Sequence, residues 1–166
     1  MIHDPAILDV LEDLPDLAWE GSVWRHMFND YQPDRVNTAG ARWNPPSIGA
    51  VYTAYDRNTA LAEGQHAIDS QPRRTFAKRV LYEVHVEVNA LVDLNAPGAL
   101  QAVGLNKSDI EADDFSRCQA VGGAAAWLER DGLIVPSARA DGSNLVILVG
   151  TRGAPEMRIL RTEIVT

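Results

Sequence analysis

Residues 40–63, GARWNPPSIGAVYTAYDRNTALAE, gather the side chains best equipped for chemistry: the cation of Arg42, the ring and hydroxyl of Tyr52, and the carboxylate of Glu63. An arginine fork suits a phosphate or a carboxylate, and a carboxylate in a cleft steadies developing positive charge. Taken alone, the trio is better explained as a structural Arg42–Glu63 ion pair beneath a tyrosine. Further candidates lie outside this run. Arg25 sits among apolar residues in a strand-like segment, where a cation requires an anionic partner. Ser137 follows Val135-Pro136 at the end of an apolar stretch, and Asn144 precedes another; the ordinary role of either is to satisfy a turn.

The elements needed to position these groups follow from local pattern. Asn44-Pro45-Pro46-Ser47 forces a turn just after Arg42 and Trp43. Residues 50–55 predict a short strand with Tyr52 and Ala54 on one face and Val51, Thr53 and Tyr55 on the other. A helix then opens near Thr59, capped by Asp56 or Asn58, and carries Glu63. Elsewhere, residues 5–14 have a helical apolar stripe ended by Pro15, and residues 21–28 read as a strand. Residues 70–74 form a basic turn. Residues 78–88 alternate as a strand with one mostly wet face, and 89–94 form a short continuation. Short helical pieces over 97–114, with Ser108 as a cap, precede a helix at 115–130 in which Gly122-Gly123 permits close packing. Apolar strands at 133–136 and 145–149 and an alternating strand at 157–165 complete the pattern. The order predicts an α+β fold: a single compact domain over residues 1–166, with mixed or antiparallel sheets and flanking helices.

Composition narrows the possible functions. With 166 residues, 46% hydrophobic and 23% charged, the chain can bury one sizeable core. The net charge of −8 disfavours direct nucleic-acid binding, which draws on cationic surface. No run is long enough to span a bilayer, the start lacks a signal pattern, and a cytoplasmic location is expected. Cys118 is the only cysteine, so no intrachain disulfide can form. The four histidines are scattered, and Glu63-Gly-Gln-His66 is a lone Glu-x-x-His where a di-iron site needs two, so no metal is expected. No phosphate-cradling glycine loop and no Gly-x-Ser-x-Gly elbow is present.

Four segments taken together carry a family resemblance. They are Val23-Trp24-Arg25; Gly40-Ala-Arg42-Trp43-Asn44-Pro45; Val51-Tyr52-Thr53 with Leu61-Ala-Glu63; and Leu133 to Arg139 with Ser143-Asn144-Leu145. In this order they resemble the RES-domain family, named for an arginine, a glutamate and a serine, with the core match over 23–149. On the resemblance, Arg42, Glu63 and Ser137 correspond to those three residues, and Arg25, Tyr52 and Asn144 to further pocket positions. Ala41 stands where the family often has a second glycine.

The resemblance implies an ADP-ribosyltransferase-like fold and a toxin of a type II toxin–antitoxin pair acting on NAD as substrate. It also implies an Xre-like helix-turn-helix antitoxin that carries the DNA binding. The chemistry is compatible. Nicotinamide leaves NAD from an already cationic linkage, so a single carboxylate, Glu63, suffices to steady the oxocarbenium-like transition state. Arg25 and Arg42 suit the pyrophosphate, Tyr52 with Trp43 suits the nicotinamide ring, Ser137 can anchor a carboxamide or hydroxyl, and Asn144 can fix the Ser137 loop. Water, phosphate or a protein target such as a nucleotide-synthesis enzyme remain open as ADP-ribose acceptors. The alternative is a non-catalytic interaction module built on an Arg42–Glu63 ion pair.

Overall fold

The computed structural model describes residues 2–71, 78–150 and 153–166. In chain order the elements are α1 (Pro5–Asp13), β1 (Leu17–Phe28), β2 (Gly49–Ala54), α2 (Arg57–Asp69), β3 (Arg79–Asp93), α3 (Ala99–Ala102), α4 (Lys107–Glu111), α5 (Ser116–Trp127), β4 (Gly132–Pro136), β5 (Ser143–Val149) and β6 (Arg158–Val165). Of the expected basic turn at 70–74, residues 72–74 lie outside the described residues.

The strands form one sheet in the order β1-β2-β5-β4-β3-β6, and β1 also pairs with β3, so the pairings close into a ring with β6 outside it. All pairings are antiparallel except β3–β4. The ring closes narrowly at one place: β1 meets β2 only at Trp24↔Ala54. The long β1–β3 ladder explains two departures from expectation. β1 starts at Leu17, not Gly21, because Leu17 pairs with Leu91. Residues 79–93 form a single strand because pairing with β1 continues across Asn89.

Three apolar clusters fill the fold. One gathers Val23, Met27, Val51, Val84, Leu145 and Ile147 from the strands. A second joins the helices to β2, β4 and β5 through Leu11, Trp43, Val121, Leu133 and Val146. The third lies beneath α2, where Ala60 and Leu61 meet Trp24, Ala54 and Leu81. Leu81 is fully buried there, so the face of β3 expected to be wet is covered at that point. Each aliphatic side chain so buried contributes on the order of 1.5–3 kcal/mol, and this is what holds α2 against the sheet.

Glycines set two of the close approaches. A β-carbon on Gly64 would lie 2.4 Å from the His26 ring, so α2 can rest directly on β1. One on Gly122 would lie 1.7 Å from the carbonyl oxygen of Trp43, so α5 packs backbone to backbone against the segment carrying Arg42. The short α4 is capped by Asn106 rather than Ser108. Its side chain accepts from the Asp109 amide at 3.1 Å while Asp109 accepts from the Asn106 amide at 3.0 Å, the reciprocal box that satisfies two orphan donors.

Candidate functional site

Asp56 begins the construction. Its carboxylate accepts from the Thr59 amide at 2.8 Å and the Thr59 hydroxyl at 2.7 Å, fixing the start of α2. A β-carbon on Gly142 would lie 2.0 Å from that same hydroxyl. The loop between β4 and β5 is therefore seated against the head of the helix. Two turns into α2, Glu63 reaches that loop and the start of β5: Ser137 Oγ donates to Oε2 at 2.9 Å and Asn144 Nδ2 donates to Oε1 at 2.9 Å. The second hydrogen of the Asn144 amide goes to the Thr53 carbonyl at 3.0 Å, so β2, β5 and α2 are tied at one atom. Asn144 therefore acts on the carboxylate itself rather than on the Ser137 loop alone.

Burial raises the Glu63 carboxyl above its ordinary range; the two hydrogen bonds and the nearby Arg139 pull it back, and Asp56 pushes it further up. Burial is the largest of these influences. Arg139 is tied to the same turn, its amide donating to Ser137 Oγ at 3.2 Å. Its charge bears on Glu63 and also on Arg42.

Arg42 is placed by the turn that its two prolines predicted. Its Nη1 donates to the carbonyls of Ala112 at 2.8 Å and Asp109 at 3.3 Å, and its guanidinium stacks over the Phe115 ring at 4.6 Å. Among the described residues no ion pair joins Arg42 to Glu63: the structural pairing allowed by the sequence is absent, because each group has other partners. Burial lowers the Arg42 pKa, and its charge in turn bears on Tyr52.

The Tyr52 hydroxyl is held on both sides. It accepts from the Trp43 amide at 2.9 Å and donates to Asn44 Oδ1 at 2.6 Å, and burial pushes its phenol well above the usual value. Asn44 is completely buried and donates onward to the carbonyls of Ile48 at 2.7 Å and Asn37 at 3.2 Å. This network holds the 43–48 turn in shape.

Two expected binding residues stand elsewhere. Trp43 is 2% exposed and its ring is part of the helix-side core, so stacking on a ligand is not open to it here. Arg25 donates to the carbonyls of Pro33 and Arg35, the latter at 2.7 Å. It lines a groove with Tyr31, Arg35 and Asn37 that shares no lining residue with the one beside Ser137. Neutral backbone carbonyls, with the charge of Asp34 nearby, stand in place of the anionic partner that the sequence predicts, and its pKa is pulled down to about 10, chiefly by burial.

The groove beside Ser137 has a volume of about 440 Å³ and is walled by α4, through Lys107 and Ile110, and by the 136–142 loop, through Arg139 and Gly142. Sequence reasoning gave Asp56 its capping role but missed Asn44 and Arg139 as contributors to this region. Arg139 was visible only as the last residue of the Leu133–Arg139 match, and Asn44 only as a turn former. Among the described residues no group of three or more His, Cys, Asp or Glu side chains could hold a metal ion. Nor is any helix among them long and apolar enough to cross a membrane.

This is an α+β domain in which a half-buried carboxylate is held between a serine and an asparagine with the charge of Arg139 nearby, and comparison supplies the family. The RES domain family model matches residues 20–163, and the chain belongs to that family. The NAD(+) phosphorylase MbcT of Mycobacterium tuberculosis and that of Mycobacterium bovis are each 42% identical to it over 106 residues. That alignment covers 60% of this chain and 56% of each relative, so the matched segment spans little more than half the length of those curated proteins. Among solved structures, the M. tuberculosis MbcT–MbcA toxin–antitoxin complex superposes with a TM-score of 0.86 at 27% identity, over 98% of this chain and 93% of that one.

Proposed function

We propose that this protein is the toxin of a toxin–antitoxin pair and that it breaks the nicotinamide–ribose bond of NAD, passing ADP-ribose to inorganic phosphate. The observation that carries the proposal is the Glu63 carboxylate, held by Ser137 and Asn144 beside a groove that Ser137 and Arg139 line. The 42% identity to proteins named NAD(+) phosphorylase supports phosphate, among the acceptors that sequence chemistry leaves open, as the captor.

In this reading Glu63 is the catalytic residue. Its ionised carboxylate faces the nicotinamide ribose and steadies positive charge as the C1″–N bond lengthens, and the bonding pair leaves with nicotinamide, which becomes neutral. No general acid is needed for a leaving group of that kind. Ser137 and Asn144 hold the carboxylate at one angle, so little reorganisation is required during reaction. Arg42 has Nη1 fixed by two carbonyls, with the Cys118 sulfur also beside its guanidinium, and the planar fork so held suits the pyrophosphate. Tyr52, its hydroxyl engaged by the 43–44 turn, offers its half-buried ring to a flat ligand.

A cognate antitoxin, expected to be of the Xre helix-turn-helix type, would silence the enzyme by covering the groove. The structural likeness to a toxin seen in complex with its antitoxin supports such a partner. The test is direct: incubate purified protein with NAD and phosphate and follow products by mass spectrometry. Free nicotinamide and ADP-ribose 1″-phosphate are expected, and Glu63→Gln should produce neither. NAD that survives intact with wild-type protein would end the proposal. Growth arrest on expression, relieved by the antitoxin and absent for Glu63→Gln, checks the toxin half.

A further inference from the structure

If NAD is split by phosphate, the second substrate needs its own seat near the reacting carbon, and this inference rests on that reading. Among the described residues, the cations lining the groove beside Ser137 are Lys107 and Arg139. Arg25 is engaged with the carbonyls of Pro33 and Arg35 and faces a different groove. Arg42 lies under the α4–α5 junction, bound to Asp109 and Ala112 carbonyls. Lys107 lines the Ser137 groove but is almost fully exposed, and its Nζ lies 3.9 Å from Glu111 Oε1. Arg139 remains. It lines the same groove, and its amide rests on the Ser137 hydroxyl that touches Glu63. Among the described residues its guanidinium has neither a hydrogen-bond acceptor nor a carboxylate within ion-pair distance.

Two features place Arg139 closer to the reacting centre than Arg42. The turn of residues 137–139 is anchored at the carboxylate, so the side chain starts from within hydrogen-bonding distance of the catalytic cluster. Its charge also bears on Glu63 and on Arg42 alike. A guanidinium without a protein partner among the described residues, lining the groove that Ser137 also lines, offers a site for an anion, and its planar fork suits a phosphate dianion. Asp141 and Glu111 also line the groove and set its acidic side.

We propose that Arg139 binds the acceptor phosphate and so determines that NAD is cleaved by phosphate rather than by water. A phosphate oxygen supplies the electron pair for the new bond to C1″ as the C1″–N pair departs with nicotinamide. The dianion attacks without first losing a proton, so the step balances as NAD plus phosphate giving ADP-ribose 1″-phosphate plus nicotinamide.

The experiment measures KM for phosphate and for NAD, and the ratio of phosphorylated to hydrolysed product, in wild type, Arg139→Gln and Arg139→Lys, with melting curves to confirm folding. Loss of a charge-assisted fork is expected to raise the phosphate KM of Arg139→Gln by roughly tenfold or more and shift product toward free ADP-ribose, with NAD KM changed less than about threefold. Arg139→Lys should recover part of the phosphate affinity. A rise in NAD KM with phosphate KM unchanged would overturn the proposal and assign Arg139 to the dinucleotide. Cleavage by wild-type protein that ignores phosphate would also overturn it while leaving NAD cleavage standing. Failure of wild-type protein to consume NAD at all would instead sink the reading beneath it.

Discussion

Glu63 is caught between burial, which favours its protonated form, and two donors, which favour its charge. Because burial dominates, its pKa is raised, and the ionised form that chemistry requires is lost at a higher pH than for an ordinary glutamate. The acid limb of kcat/KM for NAD is therefore expected above the usual carboxylate range, and a pH–rate profile reads it directly. Asn144→Ala removes one of the donors that hold the charge, so that limb should move further upward. Replacing Glu63 by Gln should lower kcat by at least about 100-fold, the scale seen when a group stabilising transition-state charge is removed. Tyr52→Phe tests the neighbouring network. It strips a donor from completely buried Asn44 and an acceptor from the Trp43 amide, and should cost about 1–3 kcal/mol in urea unfolding.

At the scale of elements, the site depends on how closely α5 approaches the Arg42 segment. The β-carbon of a Gly122→Ala variant would meet a backbone carbonyl, which cannot swing aside as a side chain can. A loss of about 3 kcal/mol is expected, with NAD turnover falling further than stability alone explains because Arg42 moves with the turn. Differential scanning calorimetry paired with turnover at low temperature separates the two effects. The sequence made much of this architecture legible. The Asp56 cap, the phase of β2 and the turn after Trp43 all follow from local rules that the structure obeys. What could not be read locally was the fate of the polar groups. Arg25 finds carbonyls eight and ten residues onward, and Asn144 reaches a carboxylate far back in the chain. Such partners are decided by which strands meet, and neither periodicity nor spacing encodes that. Trp43 illustrates the same limit: beside an arginine it reads as a ligand platform, yet the close approach of α5 at Gly122 packs it into the core.

Across the whole molecule, His26 links the sheet, α2 and acid stability. It lies against Gly64 and accepts at Nε2 from Arg79 Nε at 3.0 Å, and burial, with the charge of Arg79, brings its pKa down to about 4. The folded protein thus holds it neutral where the unfolded chain would protonate it near 6.5. Its stabilising contribution is complete above that value and is lost as pH falls from about 6.5 to about 4. Allowing for solvent screening, roughly 1–2 kcal/mol should disappear over that interval, and urea titrations at stepped pH should show a shallower decline for His26→Gln.

The single Trp24↔Ala54 contact between β1 and β2 makes the ring a hoop with a seam, and α2 lies across that seam like a clasp, touching both strands and β3 through one apolar cluster. Backbone amides flanking the gap should be among the first to take up deuterium. Since Glu63 projects from the clasp itself, a ligand that grips the carboxylate would keep it fastened, and slower exchange along the seam would report occupancy.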